Sequence, residues 1–194
     1  MIKAVIFDFF SVLAIRDLMP FRKAYFSDDA EKNRQNQLAL EQLGLGRLGY
    51  DEYIDKLAEL GGVSRETVLK YTEDYHSNDD LLEYIKNELK PKYKLGIISN
   101  AGEDWVLKIL GEDGEKLFDD IVLSYKTGVI KPDSRIYELS AKNLGIEAKE
   151  CVFVDDILSY CHGAEQIGMK AIHYKTFPKM KAELEEILAA GSDN

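Results

Sequence analysis

Val5-Ile6-Phe7-Asp8-Phe9-Phe10-Ser11-Val12-Leu13 is an apolar run carrying one carboxylate, followed by a break rich in small and apolar residues. Its leading part, Ala4 to Phe7, is short and mostly β-branched or aromatic, the pattern of a strand buried on both faces. Four later runs read the same way: Leu95 to Ile98, Ile121 to Leu123, Cys151 to Val154 and Ala171 to His173. Helical patterns at Glu103 to Leu110, Ser134 to Leu144, Leu158 to Ile167 and Lys179 to Ala189 make strand and helix alternate over the second half of the chain. That alternation implies a parallel sheet with crossover helices, an α/β core wound on both sides. Pro132, Pro178, Gly111, Gly145 and Gly168 punctuate the helices, with proline near starts and glycine after ends.

Residues 15 to about 90 break the rhythm. They offer no convincing strand and several amphipathic stretches: Phe21 to Leu43, Tyr50 to Leu60, Ser64 to Tyr75 and Asp79 to Leu89. Because the first strand must pair with strands that begin only near Leu95, this helical insertion is expected over the carboxyl end of the sheet, where open α/β sheets bind ligands. Its aromatic residues, including Tyr25, Phe26, Tyr50, Tyr53, Tyr71 and Tyr75, suit either a helix-packing core or a pocket wall. The tail Gly191-Ser192-Asp193-Asn194 is expected to fray.

Composition narrows the partners. The 194 residues are 45% hydrophobic, enough for a full core domain plus an insertion. A formal charge of -10, from 35 acidic against 25 basic residues, argues against nucleic acid as the main partner, because counterion release needs a basic surface. An anionic substrate therefore needs local positive groups. The first apolar run meets Lys3 and Asp8 too soon for a signal peptide or membrane span, so the expectation is a soluble, cytoplasmic protein with no membrane partner. Cys151 and Cys161 lie in or beside apolar segments and read as buried free thiols. With His76, His162 and His173 they form no compact zinc-ligand spacing.

Four segments carry groups suited to chemistry, and each also has a plain structural reading. Asp8 projects from a strand end into the expected crevice, as a nucleophile or a metal ligand, or in a helix-capping or loop-solvating role. Ser99 and Asn100 end a second strand before a turn into a helix, whose free N–H groups hold an anion unless the two residues merely cap it. Lys131 in Gly128-Val129-Ile130-Lys131-Pro132-Asp133 sits where Pro132 is expected to set the first turn of a helix. A cation there is opposed by the helix dipole unless it answers a carboxylate or phosphate, and Lys126 competes for that role. Asp155 and Asp156 place two adjacent acids after Val152-Phe153-Val154, costly without a cation unless Asp156 caps the next helix.

In order and in placement these segments resemble the haloacid dehalogenase superfamily over nearly the whole chain. The resemblance implies a Rossmann-like core from residues 1–14 and 91–194, with a small helical cap from residues 15–90. It implies a phosphatase in which Asp8 attacks phosphorus to form an aspartyl-phosphate that water then hydrolyses, with a small phosphorylated metabolite as substrate. Ser99 and the backbone N–H of Asn100 would hold phosphate oxygens. Lys131 would pair with the phosphate and Asp8. Mg2+ would be held by Asp8, the backbone carbonyl of Phe10 and Asp155, supported by Asp156.

Two positions depart from that family. Phe10 stands where its phosphatases place a second aspartate that protonates the leaving oxygen and then activates water, a contribution of about 10²–10⁴-fold. Tyr160 stands where many relatives carry an asparagine that orients the lysine. Three activities accommodate the departure: a Mg2+-dependent phosphatase or phosphotransferase that is slow, prefers good leaving groups such as acyl or anomeric phosphates, or borrows an acid from the cap or a partner; a catalytically silent phospho-ligand binder or interaction protein; or a metal-independent 2-haloacid dehalogenase.

Overall fold

A computed structural model describes residues 1–16, 19–27, 29–72 and 74–190; the tail from Gly191 onward lies outside them. The opening run forms the central strand, β1 (Ala4–Phe7), with all four residues buried. β4 (Lys94–Ser99) and β6 (Cys151–Asp155) pair with it in parallel on either side, Ala4 standing opposite both Lys94 and Cys151. β5 (Asp120–Leu123) and β7 (Lys170–His173) complete the five-stranded sheet in the order β5-β4-β1-β6-β7.

Alternation along the strands divides two cores, as a period of two requires. Val5, Phe7, Leu95, Ile97, Val152 and Val154 face one side, against α6 (Trp105–Glu115) and α10 (Phe177–Ala189). Ala4, Ile6, Ile98, Cys151 and Phe153 face the other, against α8 (Ser134–Leu144) and α9 (Leu158–Gln166). Helices on both faces of a parallel sheet make this the α/β, doubly wound, Rossmann-like architecture expected from the alternation. Cys151 and Cys161 are buried free thiols within it. No helix among the described residues is long and apolar enough to cross a membrane.

The insertion departs from the expectation in three ways. The chain leaves and returns through a two-stranded antiparallel ribbon, β2 (Ala14–Arg16) with β3 (Tyr75–Ser77), where the sequence shows no strand. Three residues per strand are too few to display alternation, so backbone pairing alone makes it visible. The single stretch from Phe21 to Leu43 is two helices, α1 (Met19–Tyr25) and α2 (Ala30–Gly44), parted at Ser27, whose φ is 47°, and restarted by Asp29 accepting from the N–H of Lys32. These helices pack with α3 (Tyr50–Gly61) and α4 (Arg65–Thr72) around their own core of Phe21, Phe26, Leu43, Tyr53, Ile54, Leu57 and Val68. Third, α5 (Asp79–Tyr84) and the π-helical turn Ile85–Leu89, grouped with the insertion by their patterning, pack under the sheet: Leu81, Ile85 and Leu89 belong to the first core.

Candidate active site

Strand ends build the site. Asp8 follows β1, its N–H donating to the Val154 carbonyl at 2.8 Å, so the ladder with β6 continues into the residue that carries the carboxylate. Asp155 is the last residue of β6 and is fully buried, and Asp156 follows it. Ser99 ends β4. Between them stands Lys131, 2% exposed, whose Nζ donates to Asp8 Oδ1 at 2.6 Å, Asp155 Oδ2 at 2.7 Å and the Ile98 carbonyl at 3.1 Å. One ammonium thus spends its three protons on two strand-end carboxylates and one strand-end carbonyl.

A buried cation between two carboxylates sets the electrostatics. Burial works against the charge of Lys131, but Asp8 and Asp155 outweigh it and hold the ammonium above its ordinary range. Burial pushes the Asp8 carboxyl up to about 7, Lys131 opposes this, and Asp155 adds to it. Asp156 is raised as well, first by burial and then by Asp155. One lysine cannot balance three acids. Carboxylate oxygens of Asp8, Asp155 and Asp156 lie within 4.8 Å of one another, an all-oxygen set of the kind that holds Mg2+. Ser99 Oγ adds a second unmet demand, being buried without a hydrogen-bond partner among the described residues. A group with such an orphaned oxygen at a strand end is poised for a ligand.

Asn100 braces the lysine rather than capping a helix. Its side chain accepts from the Lys131 N–H at 2.8 Å and donates to the Lys131 carbonyl at 3.1 Å. The cap of α6 is Asp104, which accepts from the N–H of Leu107. Pro132 lies outside the helix rather than in its first turn: Asp133 is the N-cap of α8, Ser134 its first residue, and the Lys131–Pro132 peptide is cis. Asp156 does not cap α9, whose N-cap is Ile157 with no side-chain cap, and Asp155 Oδ1 takes the Ile157 N–H at 2.8 Å. Lys126 is turned away, paired with Asp104 at 2.9 Å. Tyr160, where an asparagine was expected, puts its ring 5.0 Å from Lys131 Nζ and its hydroxyl 3.4 Å from Asn100 Nδ2, so an aromatic face and an amide together position the lysine. That arrangement is not readable from the sequence, because its partners lie 29 and 60 residues apart and meet only through the crossovers.

A cavity of about 640 Å³ opens from these groups toward the inserted helices. Asp8, Asn100, Lys131 and Asp156 line its floor; Arg22, Gln37, Leu40, Glu41 and Tyr53 line it from α1, α2 and α3. Phe10 and Trp105 form part of the wall, ring centroids 6.1 Å apart and edge to face, and Tyr50 meets Trp105 at 5.1 Å. Of the insertion's aromatic residues, Tyr50 and Tyr53 line the cavity, whereas Tyr25 and Tyr71 pack on Phe21. Ser11, just past Phe10, has a φ of 63°, a strained conformation held by its N–H bonding to the Ala14 carbonyl at 2.7 Å.

Comparison with known proteins agrees with this arrangement. A family model described as haloacid dehalogenase-like hydrolase matches residues 2–168. A D-ribitol-5-phosphate phosphatase of Bacteroides thetaiotaomicron is 28% identical over 207 residues, 97% of this chain and 99% of its own length. A glyceraldehyde 3-phosphate phosphatase of Pyrococcus abyssi is 35% identical over 86 residues, covering 43% of this chain and 36% of its own length. Among solved structures, an enzyme of the same family from Bacteroides thetaiotaomicron, complexed with magnesium and inorganic phosphate, superposes with a TM-score of 0.73 at 25% identity, covering 91% of this chain and 96% of its own.

Proposed function

Because the chain belongs to the haloacid dehalogenase-like hydrolase family, we propose that it is a Mg2+-dependent phosphatase of a small phosphorylated metabolite, working through Asp8 without a carboxylic acid at position 10. The observation that carries this reading is the buried ammonium of Lys131, bonded at once to Asp8 and Asp155 beside Asp156. Such a cluster has a use for a divalent cation and a dianionic ligand, and as a purely structural feature it would be costly.

In this reading Lys131 fixes Asp8 Oδ1 and leaves the other oxygen to attack phosphorus in line with the leaving oxygen. Ser99 Oγ and the N–H of Asn100 take phosphate oxygens, which would satisfy the orphaned hydroxyl. Asp8, Asp155, Asp156 and the Phe10 carbonyl would hold Mg2+, which when bound neutralises charge on the transferring phosphoryl group. Asn100 and Tyr160 keep Lys131 in place. The helices α1 to α4 act as a cap, closing the cavity from above and excluding water.

Phe10 changes both half-reactions. No carboxylic acid at this position protonates the leaving oxygen, so the first step suits groups that depart without a proton. No carboxylate there activates water for the second step, so the aspartyl-phosphate hydrolyses slowly. The lost contribution is about 10²–10⁴-fold. The test is turnover of a generic aryl phosphate with Mg2+: we expect slow release of phosphate, abolished by EDTA and by Asp8→Asn. Equal rates for wild type and Asp8→Asn would sink the reading. The packing of Phe10 on Phe9 and Trp105 favours a silent binder as the second reading; tight phosphate binding with no turnover would select it. Chloride release from a 2-haloacid without metal would instead select a dehalogenase.

A further inference from the structure

We propose that the substrate of this site is an aryl phosphate, with an aromatic ring on the oxygen that leaves. The inference rests on the phosphatase reading above and adds the identity of the leaving group. Two independent observations meet in it. The first is chemical. With phenylalanine at position 10, the leaving oxygen departs without a neighbouring carboxylic acid, and a phenolic oxygen, whose conjugate acid has a pKa of about 10, bears that far better than an alkoxide, whose basicity is closer to that of hydroxide from water at about 15.7.

The second is the shape and lining of the cavity. Beyond the acidic floor one part of its wall is built from Phe10, Trp105, Tyr50, Tyr53, Leu40 and Ile130, with Ser11, Arg22, Gln37 and Glu41 elsewhere on the lining. Phe10, Tyr50 and Tyr75 all pack edge to face with Trp105, at 6.1, 5.1 and 5.5 Å, so the aromatic wall is packed together around one indole. A polyol needs several converging hydrogen-bonding groups, since each buried hydroxyl left unmet is costly. The cap side of the cavity offers Arg22, Gln37 and Glu41, and the Arg22 guanidinium already donates to Asn33 at 2.8 Å. The position that ordinarily holds the acid has become part of a hydrophobic surface, which accepts a flat ring and excludes water.

The reaction balances without a further reactant. Asp8 forms a bond to phosphorus as the P–O(aryl) bond breaks, its electron pair leaving on the phenolate oxygen, which takes a proton from solvent. Water then attacks phosphorus, the P–O bond to Asp8 breaks, and the products are the phenol, inorganic phosphate and the regenerated Asp8 carboxylate.

Two measurements on the whole protein with Mg2+ test this. The first compares kcat/KM for phenyl phosphate and for glycerol phosphate in wild type and Phe10→Asp. We expect phenyl phosphate to be favoured by at least about 100-fold in wild type, and the ratio to shrink by at least about tenfold in Phe10→Asp, as restoring an acid selectively helps the alkoxide. The second compares inhibition by phenylphosphonate and methylphosphonate, which have no leaving oxygen; the aryl compound should bind at least about tenfold tighter, and Tyr50→Leu should erase most of that difference. Equal kcat/KM for the two phosphates in wild type overturns the inference and leaves the phosphatase reading standing. An aryl preference in turnover without one in phosphonate binding overturns recognition of the ring. Turnover of neither phosphate above the Asp8→Asn level removes the phosphatase reading and the inference with it.

Discussion

Lys131 concentrates the energetics of this protein in one side chain. Its ammonium is buried to 2% exposure and bonded to two carboxylates and a carbonyl, so removing it leaves Asp8 and Asp155 facing each other without a cation. Lys131→Met is therefore expected to lose activity and about 3–5 kcal/mol of stability, read from urea unfolding without metal. Added Mg2+ should recover more stability in this variant than in wild type, because the ion supplies part of the missing charge; equal recovery in both would argue that the ion binds elsewhere. Lys131→Arg is not a rescue, since a planar fork cannot occupy the point-like site of an ammonium. At this scale the sequence is legible where a polar side chain ends a buried strand, as Asp8, Ser99, Asp155 and Asp156 do, and at Lys131, whose buried charge in the loop before α8 needs an anionic partner. It was opaque where a side chain acts through a neighbour. The sequence offers Asn100 as a helix cap or, through its N–H, as a phosphate ligand, and does not show that its side chain grips both backbone groups of Lys131 from 31 residues away.

The elements are closely fitted where α9 crosses the loop carrying Lys131. A Cβ placed on Gly163 would lie 2.8 Å from the Pro132 carbonyl and 2.9 Å from the Tyr137 hydroxyl, closer than real Cβ contacts allow. Tyr137 is itself tied to the Tyr160 carbonyl at 2.8 Å, so the strain cannot be relieved by turning one side chain. Gly163→Ala is expected to cost about 1–3 kcal/mol by overpacking. It should also reduce kcat at least about tenfold by shifting Lys131, a loss in proportion to small misplacements of catalytic groups. Thermal unfolding and initial rates on the same sample check both halves; full activity in a destabilised variant would detach the loop from the chemistry. The five core strands are readable because each is a short, near-continuous apolar run, and their helices because each is long enough to display its period. The β2–β3 ribbon was not, since its identity lies in the pairing of Ala14, Ile15 and Arg16 with Ser77, His76 and Tyr75 across the whole insertion.

For the molecule as a whole, a central strand buried on both faces delivers Asp8 to the mouth of the sheet, and a separately packed set of helices lines the cavity that opens from it. An acidic cluster balanced by one lysine should make the folded state depend on a divalent ion. At a Mg2+ concentration about 100 times its Kd the linkage is worth about 2.7 kcal/mol. In a chain of this size that corresponds to a rise in Tm of about 5–10 °C. The shift should be smaller in Asp156→Asn, measured by calorimetry, and Tm values indifferent to Mg2+ would remove the metal from the account. The doubly wound class was legible from the alternation of strand and helix alone, whereas the placement of Asp79–Leu89 beneath the sheet was not, because an amphipathic stretch does not state which core it joins.

The central claim is that Asp8 accepts the phosphoryl group while Phe10 leaves its hydrolysis slow. Rapid quenching of a reaction with phenyl phosphate and Mg2+, followed by mass analysis of the peptide containing Asp8, tests it most directly. We expect a burst of about one phenol per protein molecule before a slow steady state, with a phosphoryl group on Asp8 during that phase and none in Asp8→Asn. Linear phenol release from the first turnover, with Asp8 never phosphorylated while inorganic phosphate accumulates, would contradict it.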